Sequence, residues 1–228
     1  MLRTWKLGEA DRIISLYGLQ SGKIRAVAKG VRKTKTKFGG RLEPMSYVSI
    51  QCWKGKDLDI ITQAVSIELF PAIKSDLERI RKGLAMVEVI EELVGDTDAD
   101  FDLFKLLVRG LYRLEASDSP YLLSGFLWKL LQTQGVAPEL DVCVECGKSD
   151  DLVAFARSGN GVVCSSHLNS VPISNQALSI LHLMSEGELA TALSLEDSSM
   201  RIEIEGFVVM LVEAMLDHKV KALHLGSY

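Results

Sequence analysis

The hydrophobic pattern of the chain changes period at Pro71, and this change constrains the fold more than any other feature. Before Pro71, apolar residues alternate or form short runs, separated by turn signals such as Gly18 and Gly55-Lys56-Asp57. About five short strands in this region suit a small barrel, and an OB-type barrel is the leading candidate. After Pro71, apolar residues recur at helical spacing.

Several helices are predicted in the second region. Ser75, followed three residues later by Glu78, has the capping-box pattern and predicts a helix start. Further helices are predicted at about 101–114, 120–134, 174–184 and 200–216. We therefore predict an α+β multidomain chain. An N-terminal OB-fold β-barrel over residues 1–70 precedes an α-helical domain over 71–228, which carries an inserted zinc ribbon or knuckle at 141–170.

The formal net charge of −4 hides an uneven distribution of charge along the chain. Residues 1–70 contain 13 Lys and Arg against 6 Asp and Glu, a net charge of +7, whereas residues 71–228 contain 13 against 24, a net charge of −11. We therefore expect the basic barrel and the acidic helical domain to face different partners.

Composition and hydropathy exclude several classes of protein. An apolar content of 47% and a charged content of 25% are ordinary for a globular protein, and exclude a disordered or collagen-like chain. The most apolar windows reach about ten residues, against the roughly 18 that a bilayer span needs. No signal peptide is recognisable, so the chain is predicted to be soluble and cytoplasmic, with no membrane partner.

A basic segment at residues 25–41 predicts contact with phosphates. Residues 22–30 alternate as a strand, with Ile24, Ala26 and Ala28 on one face and mostly basic residues, including Lys23, on the other. Seven basic residues without an acidic one lie within 17 positions: Arg25, Lys29, Arg32, Lys33, Lys35, Lys37 and Arg41. Neutralised phosphates supply most of the affinity of a nucleic-acid binder, so these residues are predicted to contact the phosphates of a nucleic acid.

Aromatic residues in the same region could stack on unpaired bases. Phe38, within the basic segment, is predicted as a nucleic-acid-binding residue, and Tyr17, Tyr47 and Trp53 are further candidates. The alternative interpretation is that these rings fill the core of the barrel, which applies above all to Tyr47 and Trp53.

Two Cys-containing pairs predict a metal site. Cys143 and Cys146 are separated by two residues, and Cys164 and His167, 17 residues further on, repeat the spacing. Thiolates and imidazole suit a tetrahedral Zn²⁺ ion, and Gly147 fits the tight turn of a zinc knuckle. Four protein ligands leave no open position for water, so the Zn²⁺ is predicted to be structural. The alternative is that the cysteines are incidental buried residues.

Patterns typical of enzymes are incomplete or absent. Residues 18–24 resemble a phosphate-binding loop, but the glycines are one residue too close, and Ile24 replaces the Ser or Thr that would hold Mg²⁺. The sequence contains no Gly-x-Ser-x-Gly elbow. A metal-dependent nuclease would need an open metal position or a carboxylate cluster, and we recognise neither in the sequence. The chain is therefore predicted not to be an enzyme.

Several blocks of the sequence resemble the RecO family of bacterial recombination-mediator proteins. Together with the helical region and its Cys-rich insert, the blocks that carry the resemblance are Leu2-Arg3-Thr4, 7–14, Gly22-Lys23, 27–33, 41–45 and 58–64. The resemblance implies an OB-fold domain, a helical domain and a zinc site. It also implies binding of single- and double-stranded DNA and annealing of complementary strands in DNA repair.

The resemblance implies protein partners as well. With RecR, such a protein helps to load RecA onto DNA coated with single-strand binding protein (SSB), in the RecFOR pathway. The acidic C-terminal tail of SSB is expected on the helical domain, and the chain is expected to be associated with the nucleoid. The alternative function is an RNA-binding factor of translation or transcription, which could combine an OB-fold with a zinc ribbon equally well.

Overall fold

The computed structural model describes residues 1–95, 99–167 and 170–225; Leu168 and Asn169 of the predicted insert lie outside them. The strands are β1 (Arg3–Leu7), β2 (Asp11–Gly18), β3 (Gly22–Ala28), β4 (Tyr47–Trp53), β5 (Asp59–Glu68), β6 (Leu152–Ala156), β7 (Val162–Cys164) and β8 (Ser170–Pro172). The α-helices are α1 (Pro71–Lys74), α2 (Leu77–Leu93), α3 (Phe101–Ala116), α4 (Leu122–Thr133), α5 (Asn175–Ser185), α6 (Leu189–Leu193) and α7 (Arg201–Leu216). Short 3₁₀ helices span Gly39–Leu42 and Lys221–His224.

The first five strands form one sheet in the order β1-β2-β3-β5-β4. All neighbours are antiparallel except β3 and β5, which run parallel because the chain crosses over between them. Alternate residues of β2 and β3, such as Ile14, Leu16 and Ala26, are buried in a core that Phe38 and Leu42 of the crossover complete. This sheet is OB-like, and the predicted α+β class with a basic N-terminal barrel is confirmed.

The predicted change of period at Pro71 is confirmed, since Pro71 is the first residue of α1. The predicted capping box at Ser75 is wrong. Asp76 is the N-cap of α2, and its carboxylate accepts a hydrogen bond from the backbone N–H of Arg79 at 2.9 Å. Asp100 caps α3 in the same way by accepting from Asp102 and Leu103. Both carboxylates satisfy N–H groups that have no partner within the helix.

The prediction that Lys23 lies on an exposed basic face is wrong. Its ammonium group is buried, donates hydrogen bonds to the backbone oxygens of Glu91 and Val94, and lies 3.4 Å from the Glu91 carboxylate. The same carboxylate accepts a hydrogen bond from the hydroxyl of Ser15 at 2.6 Å. Helix α2 therefore covers this part of the barrel, and a buried ion pair joins the two.

The chain divides into two compact units, which we call the barrel unit (Met1–Asp118 with Val220–Tyr228) and the metal unit (Ser119–Lys219). The barrel unit contains the five-stranded sheet and α1 to α3. The metal unit contains α4 to α7 and a second sheet in the order β7-β6-β8. In it, Trp128 of α4 is fully buried, and Phe155 of β6 stacks on Phe207 of α7 at 3.6 Å. The boundary predicted at residue 70 stays a prediction.

Candidate metal centre and nucleic-acid interface

The four predicted metal-binding side chains lie together in the metal unit. The ligand atoms of Cys143, Cys146, Cys164 and His167 are all within 4.8 Å of one another. Nδ1 of His167 is 3.6 Å from the sulfur of Cys143 and 3.4 Å from that of Cys164. The sulfurs of Cys146 and Cys164 are 3.8 Å apart.

These distances fit a tetrahedral ion of the size of Zn²⁺. Bonds of about 2.3 Å to sulfur and about 2.0–2.1 Å to nitrogen give tetrahedron edges of about 3.8 Å between two sulfurs and about 3.5 Å between sulfur and nitrogen. The measured separations of 3.8, 3.6 and 3.4 Å match those edges. Three soft sulfur ligands and one imidazole also suit Zn²⁺ chemically. The group can therefore hold a metal ion with all four positions supplied by protein.

Two glycines allow the local backbone to form the site. Gly147 has a φ of +75°, which L side chains rarely adopt, and its N–H donates to the carbonyl of Cys143 at 2.7 Å to close the first turn. Gly161, just before β7, lies so close to a neighbouring loop that a Cβ would be 2.7 Å from the carbonyl oxygen of Glu139. The turn and the close approach bring the two ligand pairs together.

The environment favours the anionic form of two of the three thiols, Cys143 and Cys164. For Cys146, a backbone hydrogen bond from Lys148 lowers the pKa, but the contact with Cys143, burial and the contact with Cys164 outweigh it and raise the pKa. Burial raises the pKa of Cys143, but hydrogen bonds from the backbone of Cys164 and from neighbouring residues outweigh burial and lower this pKa to about 6. A backbone hydrogen bond from Ser166, followed by the contact with His167, lowers the pKa of Cys164. The hydrogen bond with Cys164 raises the pKa of His167. A site that stabilises thiolates is suited to a cation.

The basic segment contains side chains of two kinds. Lys37 donates to the carbonyl of Thr62 at 2.7 Å, and Arg41 donates to the carbonyls of Lys37 and Phe38, so both help to hold the segment. Arg32 reaches the carbonyl of Gly8 at 3.4 Å. The side chains of three further lysines make neither a hydrogen bond nor an ion pair within the described residues, and all three are exposed: Lys29, Lys33 and Lys35. Arg25 is also exposed.

The aromatic candidates fall in different environments. Phe38 is 1% exposed and lies in the barrel core, so its ring offers no face to a base, and we remove it from the proposed DNA site. Tyr17 is buried, and its hydroxyl donates to the carbonyl of Asp100. Tyr47 packs its ring edge-on against Phe104. Trp53, by contrast, is 72% exposed.

Two exposed lysines beside Trp53 were not among the predicted site residues. Lys54 and Lys56 lie in the turn between β4 and β5, and both are exposed. Gly55 predicted the turn of this hairpin, and the lysines on either side of Gly55 were the sequence signal for an exposed basic turn. No helix among the described residues is long and apolar enough to cross a membrane.

Fold and site together define the class: an α+β protein with an OB-like barrel, an exposed basic segment, and a helical region that includes a closed Cys₃His group. The family model for the N terminal of recombination protein O matches residues 1–70, and that for its C terminal matches residues 74–224. A protein of Thermobifida fusca (strain YX), "DNA repair protein RecO", is 35% identical over 231 residues, which cover 99% of this chain and 95% of the relative. The chain belongs to the RecO family.

Proposed function

We propose that the chain is a recombination mediator in DNA repair, which binds single- and double-stranded DNA through the barrel unit. Family membership supports the role in repair. The observation that carries the DNA interface is the basic segment, where exposed lysines project with no carboxylate paired to them within the described residues. Phosphates are the natural counter-charges for such a surface.

The same chemistry supports strand annealing. Two DNA strands repel each other through their phosphates, and a basic surface that neutralises both lowers the barrier to their meeting. Neutralisation needs no ATP hydrolysis, so the protein acts by binding alone and is not an enzyme. In the cytoplasm, at the nucleoid, it works with RecR to load RecA onto single-stranded DNA coated with SSB.

The helical domain predicted over residues 71–228 is the proposed partner for the SSB C-terminal tail. Its net charge of −11 makes it a poor surface for DNA, so it can serve protein contacts while the barrel holds the strands. An acidic tail with an apolar end would need local basic residues on an otherwise acidic domain. Arg109 and Arg113 of α3 are exposed there.

The proposed metal is Zn²⁺, held by Cys143, Cys146, Cys164 and His167. Bound there, it would supply cross-links and no reacting position, because the four protein ligands complete a tetrahedron. Cys143 and Cys146 lie in the loop that follows α4, and Cys164 ends β7, so a bound ion would join that loop to β7. The metal's role is therefore structural.

Salt dependence of DNA binding tests the interface. The variant Lys29→Ala/Lys33→Ala/Lys35→Ala leaves Lys37 and Arg41 to hold the segment. Each lost phosphate contact changes the slope of log affinity against log salt by about 0.7 for single strands and about 0.9 for duplex. We expect the slope to become shallower by about 2 and about 2.7 respectively.

A matched variant controls for loss of lysine in general. Lys129, Lys219 and Lys221 are exposed and lie outside the barrel strands, so their triple replacement by Ala should leave both slopes unchanged. Equal slopes for the wild type and the basic-segment variant would remove this segment from the DNA site. Annealing of complementary strands coated with SSB, without ATP, tests the mediator role itself, and no acceleration over the uncatalysed rate would contradict it.

A further inference from the structure

Trp53 is the most exposed of the three tryptophans of the chain. Trp128 is fully buried and Trp5 lies beneath the guanidinium of Arg3, whereas Trp53 is 72% exposed at the end of β4. A shift in the pairing of β4 with β5 falls between Gln51 and Cys52, just before it. Such irregularities re-aim the side chains that follow, and here Cys52 and Trp53 are both exposed. A single exposed apolar residue is ordinary on a protein surface, but an exposed indole differs from an aliphatic side chain because its flat face can stack on a base.

The backbone of the turn that follows Trp53 is tightly constrained. Gly55 makes the turn so tight that a Cβ there would lie 2.0 Å from the carbonyl oxygen of Leu58. The N–H of Gly55 donates to the carboxylate of Asp59 at 3.3 Å, which engages one acidic group of the hairpin in the turn itself. The indole is therefore carried at the start of a short turn whose backbone needs little ordering when a ligand binds.

Trp53 is continuous with the basic segment across β5. Trp53 pairs with Ile60. Two residues along β5 from Ile60, about 7 Å at the usual rise of a strand, the carbonyl of Thr62 accepts the hydrogen bond from Lys37 at 2.7 Å. On the other side of the indole, Lys54 and Lys56 are exposed, with Asp57 beside them. An exposed aromatic ring thus lies next to Lys54 in the chain and near the point where the basic segment is bonded to β5 through Lys37.

We propose that Trp53 stacks on an unpaired base and makes the barrel prefer single-stranded DNA over duplex, while Lys54 and Lys56 contact the adjacent phosphates. The inference rests on the proposed function, since it assumes that DNA lies along the basic segment. A base fits the chemistry because every base offers a flat π-face, and stacking tolerates any sequence. Bases inside a duplex are already stacked on one another, so duplex DNA reaches only the lysines.

The test compares Trp53→Ala and Trp53→Phe with the wild type on oligo(dT) and on a duplex of equal length. We expect Trp53→Ala to weaken oligo(dT) binding by at least about fivefold, given the usual strength of base–aromatic stacking. Trp53→Phe should retain most of the affinity. Duplex affinity should stay within about twofold of the wild type. The salt slope should not change, because stacking releases no counterions.

The matched control is Leu77→Ala, which removes an 84% exposed apolar side chain from α2 and should alter neither affinity. If the basic-segment triple variant loses affinity for both DNAs while Trp53→Ala binds oligo(dT) like the wild type, the stacking inference is overturned and the DNA interface stands. If the triple variant binds both DNAs normally, the interface itself fails. An equal loss on duplex and on oligo(dT), or a change only in oligomeric state by sedimentation, would also overturn the inference, since it would assign Trp53 to another contact.

Discussion

Replacing Cys164 by Ser should release the metal and loosen the segments that carry the ligands. In the cluster that contains Cys143 and Cys164, the other buried side chains are small: Ala154, Ala156 and Val163. Two alanines have little side chain to bury, and a fully buried Val contributes about 1.5–3 kcal/mol. Structural Zn²⁺ sites supply about 10–16 kcal/mol of apparent binding free energy at pH 7, so a bound ion is the largest stabilising term in this cluster. Phe155 of β6 lies outside the cluster and stacks on Phe207, so the sheet keeps a second anchor.

Metal content and limited proteolysis measure the two consequences. Purified wild type should contain one Zn²⁺ per chain, whereas Cys164→Ser should contain far less and should be cut between residues 141 and 170. Cys52→Ser is the matched control, because Cys52 is an exposed thiol on β4 in the barrel unit, and it should retain both the metal and the protease resistance. Oligo(dT) affinity should stay within about twofold in both variants. A metal-free Cys164→Ser that resists protease as the wild type does would refute the structural role.

Three stability predictions follow from other contacts, each measured as the free energy of unfolding in urea. Lys23→Met leaves the buried Glu91 carboxylate without its cation and should cost about 3–5 kcal/mol, much of which the added change Glu91→Leu should restore; no loss would contradict the buried pair. Asp100→Ala removes the N-cap of α3 and should cost about 1 kcal/mol, with Asp100→Asn as the conservative control. Gly161→Ala places a Cβ 2.7 Å from the Glu139 carbonyl oxygen and should cost about 1–3 kcal/mol, whereas unchanged stability would show that the loop yields freely.

Features set by local sequence were predictable. The change of period at Pro71 marks the first helix because proline is compatible with a helix start and apolar spacing reports secondary structure directly. The metal ligands were equally predictable from the sequence. Each pair lies within four residues, and a two-residue gap is what lets two side chains turn toward one ion. The glycine after Cys146 completes the same local pattern.

Features set by packing between elements were not predictable. The alternation of β3 separates two faces, but it does not say that α2 covers one of them and turns Lys23 into a buried partner of Glu91. Phe38 sits among lysines in the sequence, yet its ring is drawn into the barrel core because the crossover between β3 and β5 must close over that core. A residue's neighbours in sequence therefore predicted its charge environment and not its burial.

The division of charge has a consequence for how a mediator works. Phosphate contacts made by exposed lysines are strong at low salt and weaken steeply with added salt, and they do not involve the bases. Such contacts remain when two strands pair, so they do not by themselves favour release of a duplex. The proposed stacking on Trp53 is a contact that only an unpaired base can make, and pairing would remove it. In the proposed annealing reaction, loss of this contact would favour release of the product.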